Sequence, residues 1–556
     1  MLARRACGVG RVLPFPSSRH ASGYNDRVEH AGSRETRSFL SRRRRHLAGA
    51  LALLAPLVLL TCGRATTPPE AGPARAVEDR DRAPATVTLL YTTDEHGWLL
   101  PSHEQGEVRG GAAELLAQWI TREGHCPGSP GARTPEVQAC KDPGTLALSG
   151  GDNATGPAIS SYFQGVPMAE AMGRMGYAAS AFGNHEFDFG SAGFLRNRSV
   201  SGMSYLAANL KVRGQGLAAL ELPAFAIYER RGIRIGVIGL ATEDTLRTAM
   251  ASRFDGIELE SEEAALERVV PEAWRAEPDA LVLIAHECPT KLEPILARHP
   301  EWRFSFVGGG HCHKKSETRV GDAPLVNPGW RLRSYARVQL EVDPRRPLGK
   351  RVLSNKAEIV EVSHPEGEAP ADEGVARVGA TWQAQLEQAL GEPIGYTGGM
   401  ERDSRALSHW IGTSWREVLG VDVAILNKGG IRQAVPRGEI TKATVYSVLP
   451  FDNKLLVCSL KGREIVQHLG HREAVGVGIT PGRNGRFTLD GGRPLDEDAT
   501  YTVATVDFLY FGGDGFTFQG QDPSPRWTGV DWREPVISYT RTLVTTPTAP
   551  LEHKIH

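Results

Sequence analysis

The sequence predicts an α/β protein whose larger domain is a mostly parallel sheet with helices on its faces. Five short apolar runs have strand length: Val87–Tyr91, Thr145–Leu148, Ala178–Phe182, Ala280–Ile284 and Phe304–Val307. Helix-length segments separate them, so the order reads β-α-β-α. Each run leads into a cluster of potential metal ligands: Asp94-Glu95-His96, Gly151-Asp152-Asn153, Gly183-Asn184-His185-Glu186-Phe187-Asp188, Ala285-His286 and Gly310-His311-Cys312-His313. Ligands of open α/β sheets gather beyond the carboxyl ends of the strands. One rim should therefore collect all five clusters into a metal site, with room for two ions.

The 556 residues exceed a single core and fit two or three domains. With 23% charged and 40% hydrophobic residues, the chain is neither disordered nor fibrous in composition. Residues 1–61 read as a leader with a signal peptide: Arg42–Arg45 precede the apolar run Leu47–Leu60, which is too short to span a membrane comfortably. The Arg pairs leave twin-arginine export open. This segment carries 11 Arg against 3 acidic residues, a local +8, so the remaining chain carries −9 of the total −1. A mildly acidic body argues against binding a nucleic acid polymer, which needs a basic surface. Residues 62–85, rich in Pro, Ala and Arg, form a tether. Cys126 and Cys140 lie in the Gly/Pro-rich insertion Gly124–Pro143, and an exported protein can oxidise them to a disulfide. Cys458 lies in an apolar strand and reads as a core residue.

The first domain spans 86–363, and 364–391 form a linker containing a helix, Val375–Leu390. The second domain, 392–546, opens with helix Ser404–Val418, whose Leu407, Trp410, Ile411, Trp415 and Val418 keep helical spacing. Strands Val421–Leu426, Lys454–Leu460 and Tyr501–Thr505 follow, and 547–556 are a tail.

Residues two apart on an extended segment point the same way. Asp94 can thus ligate together with His96, and His311 with His313. Asp152 sits where a carboxylate could bridge two ions, Asn184 offers a neutral oxygen, and His286 and His311 offer nitrogen. Mixed N/O ligation suits Zn, Mn, Fe, Co or Mg rather than a cysteine-rich structural zinc. Two ions roughly 3.5–4 Å apart suit in-line displacement at phosphorus. His185 can protonate or stabilise a leaving oxygen while Asp188 fixes its tautomer. In the second domain, Asn427-Lys428-Gly429-Gly430-Ile431-Arg432 places an Arg after a paired-Gly turn, where it can grip a phosphate. Phe451 and Phe508 can stack on a base, although singly each is more often a core residue. Asp514, in Gly512-Gly513-Asp514-Gly515-Phe516, can accept from ribose hydroxyls.

These motifs resemble the calcineurin-like metallophosphoesterases, and specifically the bacterial 5′-nucleotidase/UDP-sugar hydrolase family, from about Val87 to about Phe516. The resemblance implies a four-layer α/β/β/α metallophosphoesterase domain joined by a helix to a smaller α+β nucleotide-binding domain. It implies two divalent ions, one on Asp94, His96, Asp152 and His313, the other on Asp152, Asn184, His286 and His311. Some members carry Gln where His313 stands. It implies nucleotide contacts from Asn427, Gly429, Arg432, Phe451, Phe508 and Asp514. A further phosphate-binding Arg is implied before the first helix of the second domain, where Arg402 and Arg405 both come close. That helix departs from the family's Leu-Gly-Asn-Leu-Ile-Ala-Asp-Ala, reading Leu407-Ser408-His409-Trp410-Ile411-Gly412-Thr413-Ser414. Cys288 and Cys312 have no place in the family pattern and read as bystanders.

The resemblance implies an exported 5′-nucleotidase that releases phosphate from nucleoside 5′-monophosphates, with UDP-sugars or other nucleotide pyrophosphates as further substrates. A 2′,3′-cyclic-nucleotide phosphodiesterase with 3′-nucleotidase activity, a thiosulfohydrolase and a non-catalytic nucleotide-binding lipoprotein are the alternatives. Leu59-Leu60-Thr61-Cys62 resembles a bacterial lipoprotein box, with Thr61 as a departure, which would lipidate Cys62 and place the protein in the periplasm or on the outer membrane. A lipid there would be the chain's sole link to a membrane. Monomer and dimer both stay open.

Overall fold

The five ligand-bearing strands divide between two six-stranded sheets. In this computed structural model, which describes residues 82–127, 144–214, 218–482 and 486–555, all described residues belong to one compact unit, Ala71–His556. The leader, the tether through residue 81 with Cys62, and Cys140 lie outside the described residues.

The first sheet runs Val352–Glu361, Ser334–Val342, Ala85–Thr92, Thr145–Ser149, Tyr177–Ala181, Ser204–Leu206. The last four strands are parallel and the first two antiparallel. The second sheet runs Ser316–Val320, Ala323–Asn327, Phe306–Gly308, Ala280–Ala285, Ile233–Leu240, Phe225–Arg230, with parallel pairs at its centre and antiparallel edges.

Strand alternation explains why two sheets face each other. Val87, Leu89, Tyr91, Leu146 and Leu148 share one buried cluster with Ile235, Val237, Val282, Ile284 and Phe306 of the other sheet. Leu90 and Ala147 point the opposite way, into a helix-covered cluster with Leu115, Leu116 and Met172. Leu281 and Leu283 pack against Leu266, Val269 and Leu292 of helices Glu262–Arg275 and Pro289–Arg298. Every central strand is apolar on both faces, so each sheet requires a cover on both sides. The result is the helix–sheet–sheet–helix stack of the α/β class.

Helix Glu373–Leu390 starts at an Asp372 cap that accepts from Val375 N–H, and Val375, Leu386 and Leu390 pack into the first helix-covered cluster. Beyond it, a five-stranded sheet runs Ala474–Val477, Val423–Asn427, Thr500–Val506, Lys454–Lys461, Arg526–Asp531. Helix Arg405–Leu419 begins at a Ser404 cap and buries Leu407, Trp410, Ile411 and Trp415 in a separate core. Cys458 is a buried free thiol in that core, as the sequence implies.

Leu89 tests the shared inter-sheet core, since its side chain is fully buried there. Leu89→Ala should weaken the fold by about 2–5 kcal/mol, read as an earlier urea unfolding transition. A loss under about 0.5 kcal/mol, typical of surface sites, would mean the sheets do not depend on close packing at that position.

Candidate metal centre and substrate cavity

The ligand clusters do not converge by the predicted alternation of extended chain. Asp94, His96, Asp152, His311 and His313 all have left-handed backbones, with φ of 53°, 47°, 59°, 67° and 56°. Each such non-glycine residue costs about 1–3 kcal/mol and persists only where its surroundings fix it. The fixing bonds are present. Asp94 N–H donates to Gly151 O at 2.9 Å, His96 N–H to Asp152 O at 2.9 Å and Gly97 N–H to Asn153 O at 2.7 Å. The Glu186 carboxylate accepts from Gly183, Asn153 and Asp152 N–H at 2.7, 3.0 and 3.2 Å. A Cβ on Gly183 would lie 2.2 Å from Asp152 Oδ1, so only glycine lets these two loops meet.

The donor atoms gather as two overlapping groups, Asp94 with His96 and His313, and Asp94 with Asp152 and His286. Asp152 Oδ2 lies between His286 Nε2 at 3.1 Å and His96 Nε2 at 3.7 Å. His313 Nε2 is 3.3 Å from Asp94 Oδ1. Asn184 Oδ1 faces His286 Nε2 at 3.0 Å and His311 Nδ1 at 3.1 Å.

The tautomers show that a cation fits. His96 Nδ1 meets Thr155 O and His286 Nδ1 meets Gly150 O, both at 2.9 Å. A carbonyl can only accept, so these Nδ1 atoms carry hydrogen and the Nε2 lone pairs point inward. There they face carboxylate oxygens, an amide oxygen and, for His96, His313 Nε2 at 3.0 Å. Acceptors pointed at acceptors in a buried space need positive charge between them. The acid–base balance agrees: burial alone would lower His286, but Asp152, Asp94 and Glu186 outweigh it and raise it to about 10. Burial opposes ionisation of Asp152, yet His286, His185 and His96 hold it well below the usual carboxylate range.

His185 N–H donates to Asp152 Oδ1 at 2.8 Å, and its Nδ1 is 2.8 Å from Asp188 Oδ2. That pairing places hydrogen on Nδ1. Burial lowers His185, but Asp188 and Asp152 raise it overall.

A cavity of about 200 Å³ joins this centre to loops around the five-stranded sheet. Asp152, Asn184, His185, Asp188, His311 and His313 line one side; Asn427, Gly429, Arg432, Phe451, Phe508 and Asp514 line the other. Arg432 Nη2 lies 3.3 Å from His96 Nε2, and the Phe451 ring stacks on His185 at 5.4 Å. Asn427 Nδ2 donates to Asp514 Oδ2 at 2.7 Å. A Cβ on Gly513 would sit 2.5 Å from the Phe508 ring, which explains that glycine. Of the two candidate arginines, Arg402 donates from Nε to Ile431 O at 2.8 Å, beside Arg432, whereas exposed Arg405 bonds His409 on its own helix. Neither arginine lines the cavity itself, but Arg402 is the one held beside Arg432.

Several residues at the site escaped sequence reasoning. Thr248, Ala249, Met250 and Arg253 form a further wall of the cavity. Arg331 lies 3.6 Å from the Trp330 ring and 4.4 Å from the Trp98 ring, and donates to Arg432 O at 3.1 Å. Trp330 in turn stacks on His313 at 4.5 Å. Neither Arg331 nor Trp330 stands in a motif. Glu186 stood inside one, but its clasp on backbone N–H groups is invisible in a linear pattern. Cys288 and Cys312 are not bystanders: they form a disulfide, with Cα atoms 5.4 Å apart. Cys126 is also disulfide-bonded, while its expected partner Cys140 lies outside the described residues.

Fold and site together define a two-domain metallophosphoesterase, a class that implies divalent metal ions. Residues 395–521 match the 5'-nucleotidase C-terminal domain. The chain is 26% identical over 534 residues to protein UshA of Salmonella pullorum, covering 84% of this chain and 90% of that one. It is 24% identical over 494 residues to a 5'-nucleotidase of Vibrio cholerae, covering 77% and 85%. The crystal structure of a 5'-nucleotidase precursor from Thermus thermophilus superposes with a TM-score of 0.69 at 24% identity, covering 83% of this chain and 97% of that one. Residues 395–521 thus carry the 5'-nucleotidase C-terminal domain, and over most of its length the chain is similar to 5'-nucleotidases in sequence and in fold.

Mn²⁺ or Zn²⁺ added at 100 times its dissociation constant should stabilise the chelator-treated protein by about 2.7 kcal/mol per site, seen as a higher melting temperature. Asp152→Ala should abolish most of that shift. An equal shift in the variant would place the cation elsewhere.

Proposed function

We propose that this phosphoester hydrolase is a 5′-nucleotidase that uses two divalent ions to release phosphate from nucleoside 5′-monophosphates. The observation that carries the reading is the shared cavity, lined by the inward-facing donors on one side and by Arg432, Phe451, Phe508 and Asp514 on the other. Asp94, His96, Asp152 and His313 would hold one ion, and Asp152, Asn184, His286 and His311 the other. Bound there, Zn, Mn, Co or Mg supplies Lewis acidity that offsets phosphate charge and makes water nucleophilic at neutral pH.

The protein's own residues divide the remaining work. Arg432, with Arg402 behind it, offers guanidinium donors to phosphate oxygens. Phe451 and Phe508 hold the base by stacking, and Asp514, steadied by Asn427, accepts from the ribose hydroxyls. His185 carries hydrogen on Nδ1 toward Asp188, so its Nε2 is the atom available to hold a proton for the departing ribose oxygen. The aromatic pair and Asp514 favour a nucleotide over a small sulfur substrate, which has no base to clamp. UDP-sugars and other nucleotide pyrophosphates fit the same base and phosphate contacts as further substrates.

The reading includes export to the bacterial cell envelope, supported by the Arg-rich leader with its apolar run and by disulfide-bonded Cys126, Cys288 and Cys312. Lipidation of Cys62 belongs to the same proposal. Among the described residues no helix is long and apolar enough to cross a membrane.

The test is phosphate release from AMP by residues 63–556 with Mn²⁺ or Zn²⁺. The double change Phe451→Ala/Phe508→Ala should lower kcat/KM for AMP at least tenfold, since stacking contributes about 1–3 kcal/mol per base, and should spare bis-p-nitrophenyl phosphate. Activity on that diester alone would overturn the nucleotidase reading and turn attention to cyclic nucleotides. Arg402→Ala should also lower kcat/KM about tenfold or more, as loss of a charged hydrogen bond does, while Arg405→Ala should change it less than about twofold. The reverse order would exchange their roles.

A further inference from the structure

The Cys288–Cys312 disulfide sits between the loops that carry three of the seven candidate ligands. Cys288 follows His286 by two residues and immediately precedes helix Pro289–Arg298, while Cys312 stands between His311 and His313. The supporting strands, Ala280–Ala285 and Phe306–Gly308, pair in parallel only up to Ile284↔Gly308. Beyond that point the ladder no longer fixes one loop against the other. A single backbone bond, Gly310 N–H to Glu287 O at 2.9 Å, continues the connection. The loop past Gly310 then takes left-handed turns at His311 and His313 and is half-exposed at His311, Cys312 and His313. A histidine-bearing loop with two such residues needs a restraint close to them, and the disulfide lies between the two.

We infer that Cys288–Cys312 is a positioning element of the cation centre, holding His311 and His313 in register with His286. This goes beyond a general stabilising role, because the covalent tie joins ligand-bearing loops rather than distant parts of the core. Its effect falls on cation affinity in the folded protein. Substituting groups that orient metal ligands typically weakens affinity about 10- to 100-fold, and the same scale is expected here. The inference rests on the proposed reading of the site as a cation centre.

The experiment uses the whole exported chain. Alkylation without reductant, read by mass spectrometry, should leave Cys288 and Cys312 unmodified; full labelling of both in the native protein would overturn the inference. Mn²⁺ and Zn²⁺ dissociation constants are then measured by chelator competition for wild type and for Cys288→Ser/Cys312→Ser, alongside circular dichroism and the melting temperature of each apo-protein. The variant should keep its fold and lose about 10- to 100-fold in affinity. Affinity within twofold of wild type, whatever the melting temperature, would reduce the disulfide to a structural brace. If the variant does not fold, native protein is reduced with a dithiol, which supplies two electrons and two protons to leave two thiols and itself becomes a disulfide. After its removal the affinity should fall, and oxidised glutathione should restore it; an unchanged constant in the reduced, folded protein sinks the inference. Wild type that binds neither cation would instead refute the reading of the site itself.

Discussion

The structure depends on one constraint: acceptor atoms buried against acceptor atoms around Asp152. Its carboxylate lies between His96 and His286, whose lone pairs are turned inward by carbonyls on their far sides. Asp94 and Asn184 add further oxygen acceptors to the same space, and ring nitrogens of His311 and His313 complete it. Burying even one unpaired carboxylate costs several kcal/mol, so such a cluster has to attract compensating positive charge. The rise of His286 to about 10 is the protein's response when that charge is a proton. A divalent ion would supply it more completely, and binding it would release protons.

Much of the surrounding architecture serves to hold that arrangement. Two sheets are needed because the donors come from strands whose faces are both apolar. Left-handed residues turn the chain ends toward each other, and cross-loop backbone bonds, the Glu186 clasp and the missing side chain at Gly183 let them close. Burial lifts Glu186 to about 7 and Glu95 to about 8, marking how little water reaches the loops behind the donors. The loop after strand Val423–Asn427 of the five-stranded sheet contributes Arg432 next to His96, bringing a fixed positive charge to the edge of the cluster.

The donors were legible in the sequence because their chemistry is local: an Asp, Asn or His at the end of an apolar run is visible without knowing what it meets. Phe451 and Phe508 were ambiguous as residues, and the family resemblance separated them from ordinary core aromatics. What stayed hidden depends on spatial proximity. Cys288 and Cys312 are 24 residues apart and meet only because their strands are neighbours. Arg331 and Trp330 gain meaning from Trp98 and His313, and Arg402 and Arg405 are distinguished only by which way the chain turns before a helix. The extended alternation expected for Asp94 and His96 is not what brings them together, since both are left-handed and backbone torsion is not written in residue spacing.

The most direct test of this account is anomalous diffraction from crystals grown with Mn²⁺ or Zn²⁺, supported by metal analysis of the same preparation. The account predicts two peaks per chain, one on each side of the Asp152 carboxylate, with His96 and His313 at one and His286 and His311 at the other. A single peak, or peaks that leave Asp152 uncoordinated, would contradict it.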